Sequence, residues 1–299
     1  MNFDIETEII YIQSGGKQDN KKDNKKDNKK DNKKDNKQKI KVLTYNISWE
    51  SMTGDKSEWG LCPSTAEAKV CQRNVLSVID DNGPFDFIGL QEYVNKVELN
   101  KKSKQLDDMN MTHYKRGKSE IASFWNKKFK ENSEKRIVGD SGDLVKKYAE
   151  YKKTMKNKNK DKKLRIKFLK KVNHNGRPFI INFFDKEQII FVTWHFPHGS
   201  QLKLIKVLDL LYLSKYPEYR VIIAADFNTN FPKKIKTYGR SFTVGNTNIK
   251  TCCTDRKTKS HFAPYDHVLV DGSVKIDINV PYVAFPASDH LPVIAEFAL

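Results

Sequence analysis

Eight polar residues occupy equivalent places in this sequence: each stands where an apolar, strand-like run begins or ends. Asn46 closes IKVLTYN (40–46), Glu92 closes FDFIGLQE (85–92) and His195 closes QIIFVTWH (188–195). Asp226 and Asn228 close RVIIAADFN (220–228), Asp266 opens DHVLV (266–270), and Asp289-His290 stand just before PVIAEFAL (292–299). When such strands pack into a sandwich, polar groups at one end of several strands converge on a single rim. Carboxylates, amides and imidazoles gathered there suit phosphate chemistry. Glu92 and Asn46 offer the oxygen ligands that a hard divalent cation takes, Mg2+ first and Mn2+ as the alternative. Such an ion polarises a phosphoryl oxygen. A histidine beside a carboxylate can orient an attacking water and relieve it of a proton. His195 and Asn228 can meet the charge that grows on the phosphate oxygens in the transition state. Whether His290 or Asp226 takes the proton stays open at this stage.

The elements that must position these groups are legible from periodicity. Further strand-like runs lie at EIASFW (120–125) and PFIINFF (178–184). Ser64 and Glu67 form a capping box ahead of a helix reaching to about Ile79, with Cys71, Val75, Val78 and Ile79 on one face. A second helix is expected from about Gln201 to Tyr216, where Leu204, Ile205, Leu208, Leu211 and Tyr212 recur at helical spacing. Many strands and few helices predict a layered sandwich with helices outside. His267 follows Asp266 on one strand and so points to the opposite face, which suits packing. His113, His174, His198 and His261 carry no assignment.

A chain of 299 residues can bury a core large enough for an enzyme. Its net charge of +18 is uneven. Residues 1–16 hold three acids and no Lys or Arg, and form a short segment of unassigned role. Residues 17–39, in which Asp-Asn-Lys-Lys repeats from Asp19 to Lys37, offer nothing to bury and are expected to be a disordered linker. Residues 127–171 hold 18 Lys and Arg against 6 acids. Within that stretch Lys146, Lys147, Lys152 and Lys153, with Tyr148, Tyr151 and Phe168 interleaved, predict an exposed helix or loop that meets a phosphate backbone. The same charge would attract anionic lipid headgroups. Cys62, Cys71, Cys252 and Cys253 show no CxxC spacing and no disulfide framework, so reduced, mostly buried thiols are expected. Acids stand where a signal peptide needs basic residues, and no apolar run approaches the roughly 20 residues of a membrane span. A soluble, intracellular monomer is the expectation.

Taken together, the motifs resemble the endonuclease/exonuclease/phosphatase superfamily, with its DNase I-like fold. The likeness runs from Ile40 to Leu299, interrupted by the basic stretch at about 127–171. It implies an α/β fold: a four-layer α/β/β/α sandwich of two mixed β-sheets with flanking helices. It also implies roles. Asn46 in TYNISW is similar to the family's first-strand asparagine beside the metal, and Glu92 in GLQEY to its main metal ligand. His195 in TWHFPH resembles the histidine that contacts the scissile phosphate. Asp226 and Asn228 in AADFN resemble the pair that orients the water and binds the phosphate. Asp289 and His290 in SDHLPV resemble the closing motif, Asp289 on the metal side and His290 as the catalytic histidine. Asp266 in YDHVLV resembles the acid that holds that histidine's other nitrogen. Ala225 replaces the family's usual Gly, and Trp194 replaces its usual Thr, so Trp194 is expected to shape the substrate groove.

The resemblance implies a Mg2+-dependent phosphodiester hydrolase, and the basic composition favours a nuclease acting on DNA or RNA. A phosphatase or phosphodiesterase for phosphoinositides or other small phosphate esters is the alternative. Cys252-Cys253 followed by Thr254-Asp255-Arg256 only partly matches the Trp-Cys-Asp-Arg signature of the family's inositol phosphatases. An inactive nucleic-acid-binding scaffold would have lost a ligand, and none of the expected ones is missing.

Overall fold

The most apolar runs of the chain become the centres of two β-sheets. In a computed structural model the described residues are 38–57, 60–158, 176–199, 201–246, 248–253, 261 and 263–299, with the backbone alone at 155–158. The segment 1–16, the repeat up to residue 37, Phe168 and Thr254 to Arg256 lie outside them. Gln38 and Lys39 already belong to the folded unit, because Lys39 begins the first strand.

The early strands are β1 (Lys39–Asn46), β2 (Phe87–Gln91), β3 (Met109–Arg116), β4 (Ser119–Asn126) and β5 (Ile137–Asp140). There follow β6 (Pro178–Phe184), β7 (Ile189–His195), β8 (Arg220–Asp226), β9 (Lys234–Lys236) and β10 (Ser241–Gly245). The last are β11 (Asp266–Asp271), β12 (Asp277–Asn279) and β13 (Val293–Ala298). One sheet has the order β12-β13-β1-β2-β4-β3, the other β5-β6-β7-β8-β11-β10-β9. Each is mixed, because each holds one parallel pair, β1 with β2 and β7 with β8, among antiparallel neighbours. A parallel pair needs a crossover. The first carries α1 (Trp49–Thr53) and α2 (Thr65–Asn82), the second α5 (Gln201–Leu211). A short α3 (Lys104–Asp107) precedes β3, and α4 (Ser141–Lys158) joins the β5 side to β6.

Three apolar clusters show the four layers. Ile40, Val42, Phe87, Phe184, Phe191, Ile222 and Val268 meet between the sheets. Leu43, Ile88 and Phe124 face Cys71, Val75 and Ile79 of α2. Ile190, Val192 and Ile223 face Leu204 and Leu208 of α5 and Leu144 and Tyr148 of α4. Fully burying one such side chain is worth about 1.5–3 kcal/mol, so these faces decide the strand register. The sheets approach closely at Gly89, where an added Cβ would meet Ala224 Cβ and Thr193 Oγ1 at 3.1 Å each.

Helix α2 starts as the capping box requires, with Glu67 N donating to Ser64 Oγ at 3.3 Å. It stops at Gly83-Pro84, three residues later than the periodicity suggests. The α5 pattern ends at Leu211, and a 3-10 turn at Leu213–Lys215 takes up the remainder.

Three expectations are corrected. First, the basic stretch is not simply an exposed helix or loop. It supplies edge strand β5 and then α4, whose Leu144 and Tyr148 are buried in the outer layer; residues 159–171 lie outside the described residues. Buried Tyr148, with Tyr151 stacked on it, is not free to receive a base. Second, Trp194 lines no groove. Its side chain is buried on the helix-facing side of β7, stacked on Phe196 at 3.8 Å and tilted against Phe179 at 5.2 Å. Alternation along the strand explains this, since Trp194 must point opposite to its neighbours Thr193 and His195. Trp194→Ala is therefore expected to cost about 3–5 kcal/mol of stability. Urea unfolding checks this, and unchanged stability with a raised KM would restore the groove role. Third, the cysteines are not free. Cys62 pairs with Cys71 in the second turn of α2, with Cα atoms 6.4 Å apart, and Cys252 pairs with Cys253. Folding brings the first pair within disulfide reach although its nine-residue spacing matches no motif.

Candidate active site

Topology explains why the eight polar residues meet. The parallel pairs β1–β2 and β7–β8 belong to facing sheets, and all four strands finish at the same rim. Antiparallel β11 and β13 begin there: Asp266 pairs with Asp226, Asp226 also with His195, and Val293 with Thr44. The chain leaves this rim sharply. Ser48 (φ 56), Glu92 (φ 55) and Asn228 (φ 52), just past β1, β2 and β8, hold left-handed backbone that non-glycine residues rarely adopt. Backbone of this kind recurs at three neighbouring strand ends of one rim.

Asp226 is the hub. It is buried, its Oδ2 accepts from Asn46 Nδ2 at 3.0 Å, and its Oδ1 accepts from Asn228 N at 2.9 Å. The same Oδ2 lies 3.5 Å from His195 Nε2 and 3.9 Å from His290 Nε2. Burial pushes the carboxyl above its ordinary range, and His290 partly offsets that. Asn46, expected beside the metal, thus turns its amide to Asp226. Its Oδ1 accepts from Ser48 N at 3.1 Å and keeps a second lone pair.

His290 is held from both sides. Its Nδ1 lies 2.9 Å from Asp266 Oδ2, and its main-chain N donates to Ser288 Oγ, which in turn donates to Asn46 O at 2.6 Å. The closing motif is thereby clamped to β1. Burial works against a charged ring here, but Asp266, Asp289 and Asp226 outweigh it and hold the imidazole well above its usual range. The acids thus bias His290 toward its charged form, with Nδ1 on Asp266, while Asn46 Nδ2 lies 3.5 Å from its Nε2.

His195 is the opposite case. Its Nδ1 lies 3.2 Å from Arg177 Nη1, and a guanidinium can only donate, so Nδ1 must accept and the proton sits on Nε2. Burial, followed by Arg177, holds this histidine well below its usual range. A neutral ring thus aims Nε2–H at Asp226 Oδ2 and at Glu92 Oε1, 3.9 Å away. Motif reading misses Arg177. It precedes β6 in no recognisable pattern, and only the β6–β7 register brings it beside His195.

Glu92 collects negative charge. Its Oε2 accepts from Trp49 N at 3.2 Å. Burial first, then Glu50 and Asp289, push its carboxyl up to about 7. Glu50, the second residue of α1 and also absent from the motif reading, is raised by burial and partly by Asp289. Carboxyls such as Glu92 and Glu50, whose charged forms burial and nearby acids disfavour, suit a divalent cation. Oxygen-only donors such as Glu92, Asp289 and Glu50 suit a hard ion; among the described residues the carboxylates whose ligand atoms lie within 4.8 Å of one another and of a histidine are Asp226 and Asp266, with His290. Asn228 donates its amide to Phe196 O at 2.9 Å and retains a second amide hydrogen. His267 turns away as expected, buried between Phe227 and Phe231 and 2.9 Å from Thr229 O.

The four lysines do not join the rim. Helix α4 starts beside it, since Ser141 N donates to Arg177 O at 3.0 Å, but Lys152 and Lys153 follow roughly 17 Å further along the axis. Lys147 Nζ donates to Tyr212 Oη at 2.9 Å, and Lys152 lies over the Tyr148 ring. Lys146 and Lys153 are exposed. Among the described residues no helix is long and apolar enough to cross a membrane.

Comparison with known proteins places the fold. No family model matches the chain. An uncharacterised protein of Acanthamoeba polyphaga mimivirus is 26% identical over 287 residues, covering 85% of this chain and 50% of that protein. The chain thus spans about half the length of that curated relative. Among solved structures, an endonuclease/exonuclease/phosphatase from Bacteroides vulgatus is similar with a TM-score of 0.57 at 14% identity, covering 88% of this chain and 100% of that one. ANGEL2, a 2',3'-cyclic phosphatase, gives 0.56 at 12% identity, with 89% and 97% covered. TDP2 of D. rerio, solved with a single-strand DNA product, gives 0.54 at 12%, with 87% and 99% covered. The fold is that of the endonuclease/exonuclease/phosphatase proteins, the DNase I-like α/β sandwich.

Proposed function

We propose that this chain is a divalent-metal-dependent phosphodiester hydrolase whose substrate is nucleic acid. The observation that carries the reading is the Asp226 hub, a buried carboxylate fixed by two donors and faced by His195 and His290. Glu92 and Asp289, with Glu50 and Asn46 beside them, are the residues that would hold the cation, Mg2+ or Mn2+. Bound there, it would supply Lewis-acid polarisation of a phosphate oxygen.

The chain's own groups do the rest. Asp226 orients the attacking water and accepts its proton, which its raised affinity for protons favours. His290, fixed by Asp266, presents Nε2–H to the reacting phosphate. His195 donates Nε2–H to a non-bridging oxygen, and Asn228 offers its second amide hydrogen to another. These donors are in place before reaction, so they stabilise developing charge without reorganising.

Nucleic acid is favoured over a small ester by the net charge of +18, and by the DNA product bound to a protein of the same fold. Replacing exposed Lys146 and Lys153 by Gln is expected to weaken oligonucleotide binding. The slope of log affinity against log salt should fall by about 1.4–1.8, with hydrolysis of a small phosphodiester unchanged. An equal fall in small-substrate rate would make these lysines part of the core instead.

Metal removal tests the reading. A chelator should abolish hydrolysis and added Mg2+ or Mn2+ restore it. Glu92→Gln should raise the metal concentration for half-activity by roughly tenfold or more. Hydrolysis that persists in chelator would reject the cation's role.

A further inference from the structure

The residues placed in the hydrolytic site leave two sulfurs beside it without a task. Cys252 Sγ lies 3.4 Å from His290 Nε2, and ligand atoms of Cys252, Cys253 and His290 all fall within 4.8 Å of one another. We infer that, once its vicinal disulfide is reduced, the chain binds a soft divalent ion of the zinc class through Cys252, Cys253 and His290.

The donor set is soft where the Glu92 cluster is hard. Two thiolates and an imidazole select Zn2+ over Mg2+ and leave a fourth tetrahedral position for water. The frame is fixed by main-chain bonds. Cys252 N donates to Ala263 O at 2.8 Å, Cys253 N to Asp289 O at 2.9 Å, and Leu291 N to Thr251 O at 2.7 Å. The cysteine segment is therefore tied directly to the segment that carries His290. Asp266 on Nδ1 completes the arrangement, because a carboxylate there orients an imidazole whose Nε2 binds metal. Cys252 and His290 are buried while Cys253 is partly exposed, which gives the ion an approach.

The two sulfurs are bonded to each other in this structure, so the site opens only on reduction. A phosphine reductant with water converts the S–S bond to two thiols and itself to the phosphine oxide. The ion then displaces one proton from each thiol and the Nε2 proton of His290. Occupancy takes away the nitrogen that the proposed hydrolysis uses, so reduced, zinc-loaded chain should be inactive and oxidised chain insensitive to zinc. That consequence rests on the proposed function; the binding does not.

The test is a Co2+ titration of the full chain after phosphine reduction and removal of the reductant, read by thiolate-to-cobalt charge-transfer absorption in the near ultraviolet. Saturation at one equivalent per chain is expected, with displacement by Zn2+. The signal should be lost in Cys252→Ser,Cys253→Ser and in oxidised wild type, kept in Cys62→Ser,Cys71→Ser, and weakened roughly tenfold or more in affinity in His290→Ala. Absorption that survives in the Cys252→Ser,Cys253→Ser variant would overturn the inference. So would its absence from wild type whose thiols titrate as free. If the Cys252 and Cys253 variant fails to fold, oxidised against reduced wild type and the Cys62 and Cys71 variant decide. A cobalt signal in a chain that hydrolyses nothing would uphold the metal site and reject the hydrolytic reading alone.

Discussion

Asp226→Asn should lower kcat on a phosphodiester by about 10^3-fold while leaving KM within a few-fold, because it removes a proton acceptor and not a substrate contact. The substitution is nearly isosteric. Its carboxamide oxygen can still accept from Asn228 N, as Asp226 Oδ1 does at 2.9 Å, so the turn after β8 should survive. What changes is Oδ2, which accepts from Asn46 and faces both histidines. An amide nitrogen there would oppose the Asn46 and His195 donors and could take no proton from water. Steady-state kinetics with a short oligonucleotide checks this. A variant that keeps most of its rate would remove Asp226 from the reaction.

Asp266→Asn is the second large effect, expected at about 10^3-fold in kcat through His290. Asp266 is fully buried and its Oδ2 meets His290 Nδ1 at 2.9 Å. An amide at that place removes the charge that sustains the imidazolium and offers a donor that can reverse its orientation. A purely structural role is separated by a double-mutant cycle. If Asp266 acts through the histidine, His290→Ala added to Asp266→Asn should cost little more, whereas independent roles would give additive losses. Thermal unfolding within a few degrees of wild type is the accompanying control.

The sequence and the structure agree best where burial is complete. PFIINFF and the β7 and β8 runs are buried along nearly their whole length, and their strand signal is unmixed. Strands β3, β5, β9 and β12 lie at sheet edges, and β10 lies next to β9. Met109 to Arg116 places exposed Asn110 and Lys115 among half-buried residues, so neither alternation nor an apolar run emerges. At the site, residues at strand ends were legible because a polar group closing a buried run is conspicuous. Arg177 and Glu50 were not, since each depends on register or on a short helix. Trp194 and Tyr148 depart from expectation for the converse reason. Aromatic residues beside site or basic residues suggest stacking on substrate, yet strand and helix phase turned both inward.

The most direct measurement is hydrolysis of plasmid DNA, an abasic-site duplex, single-stranded RNA and a phosphoinositide, with and without Mg2+, using Asp226→Asn as the blank. Mg2+-dependent strand cleavage of at least one nucleic acid, absent from the blank, is the expected result. Phosphate released from the lipid alone, or cleavage equal in wild type and blank, would contradict it.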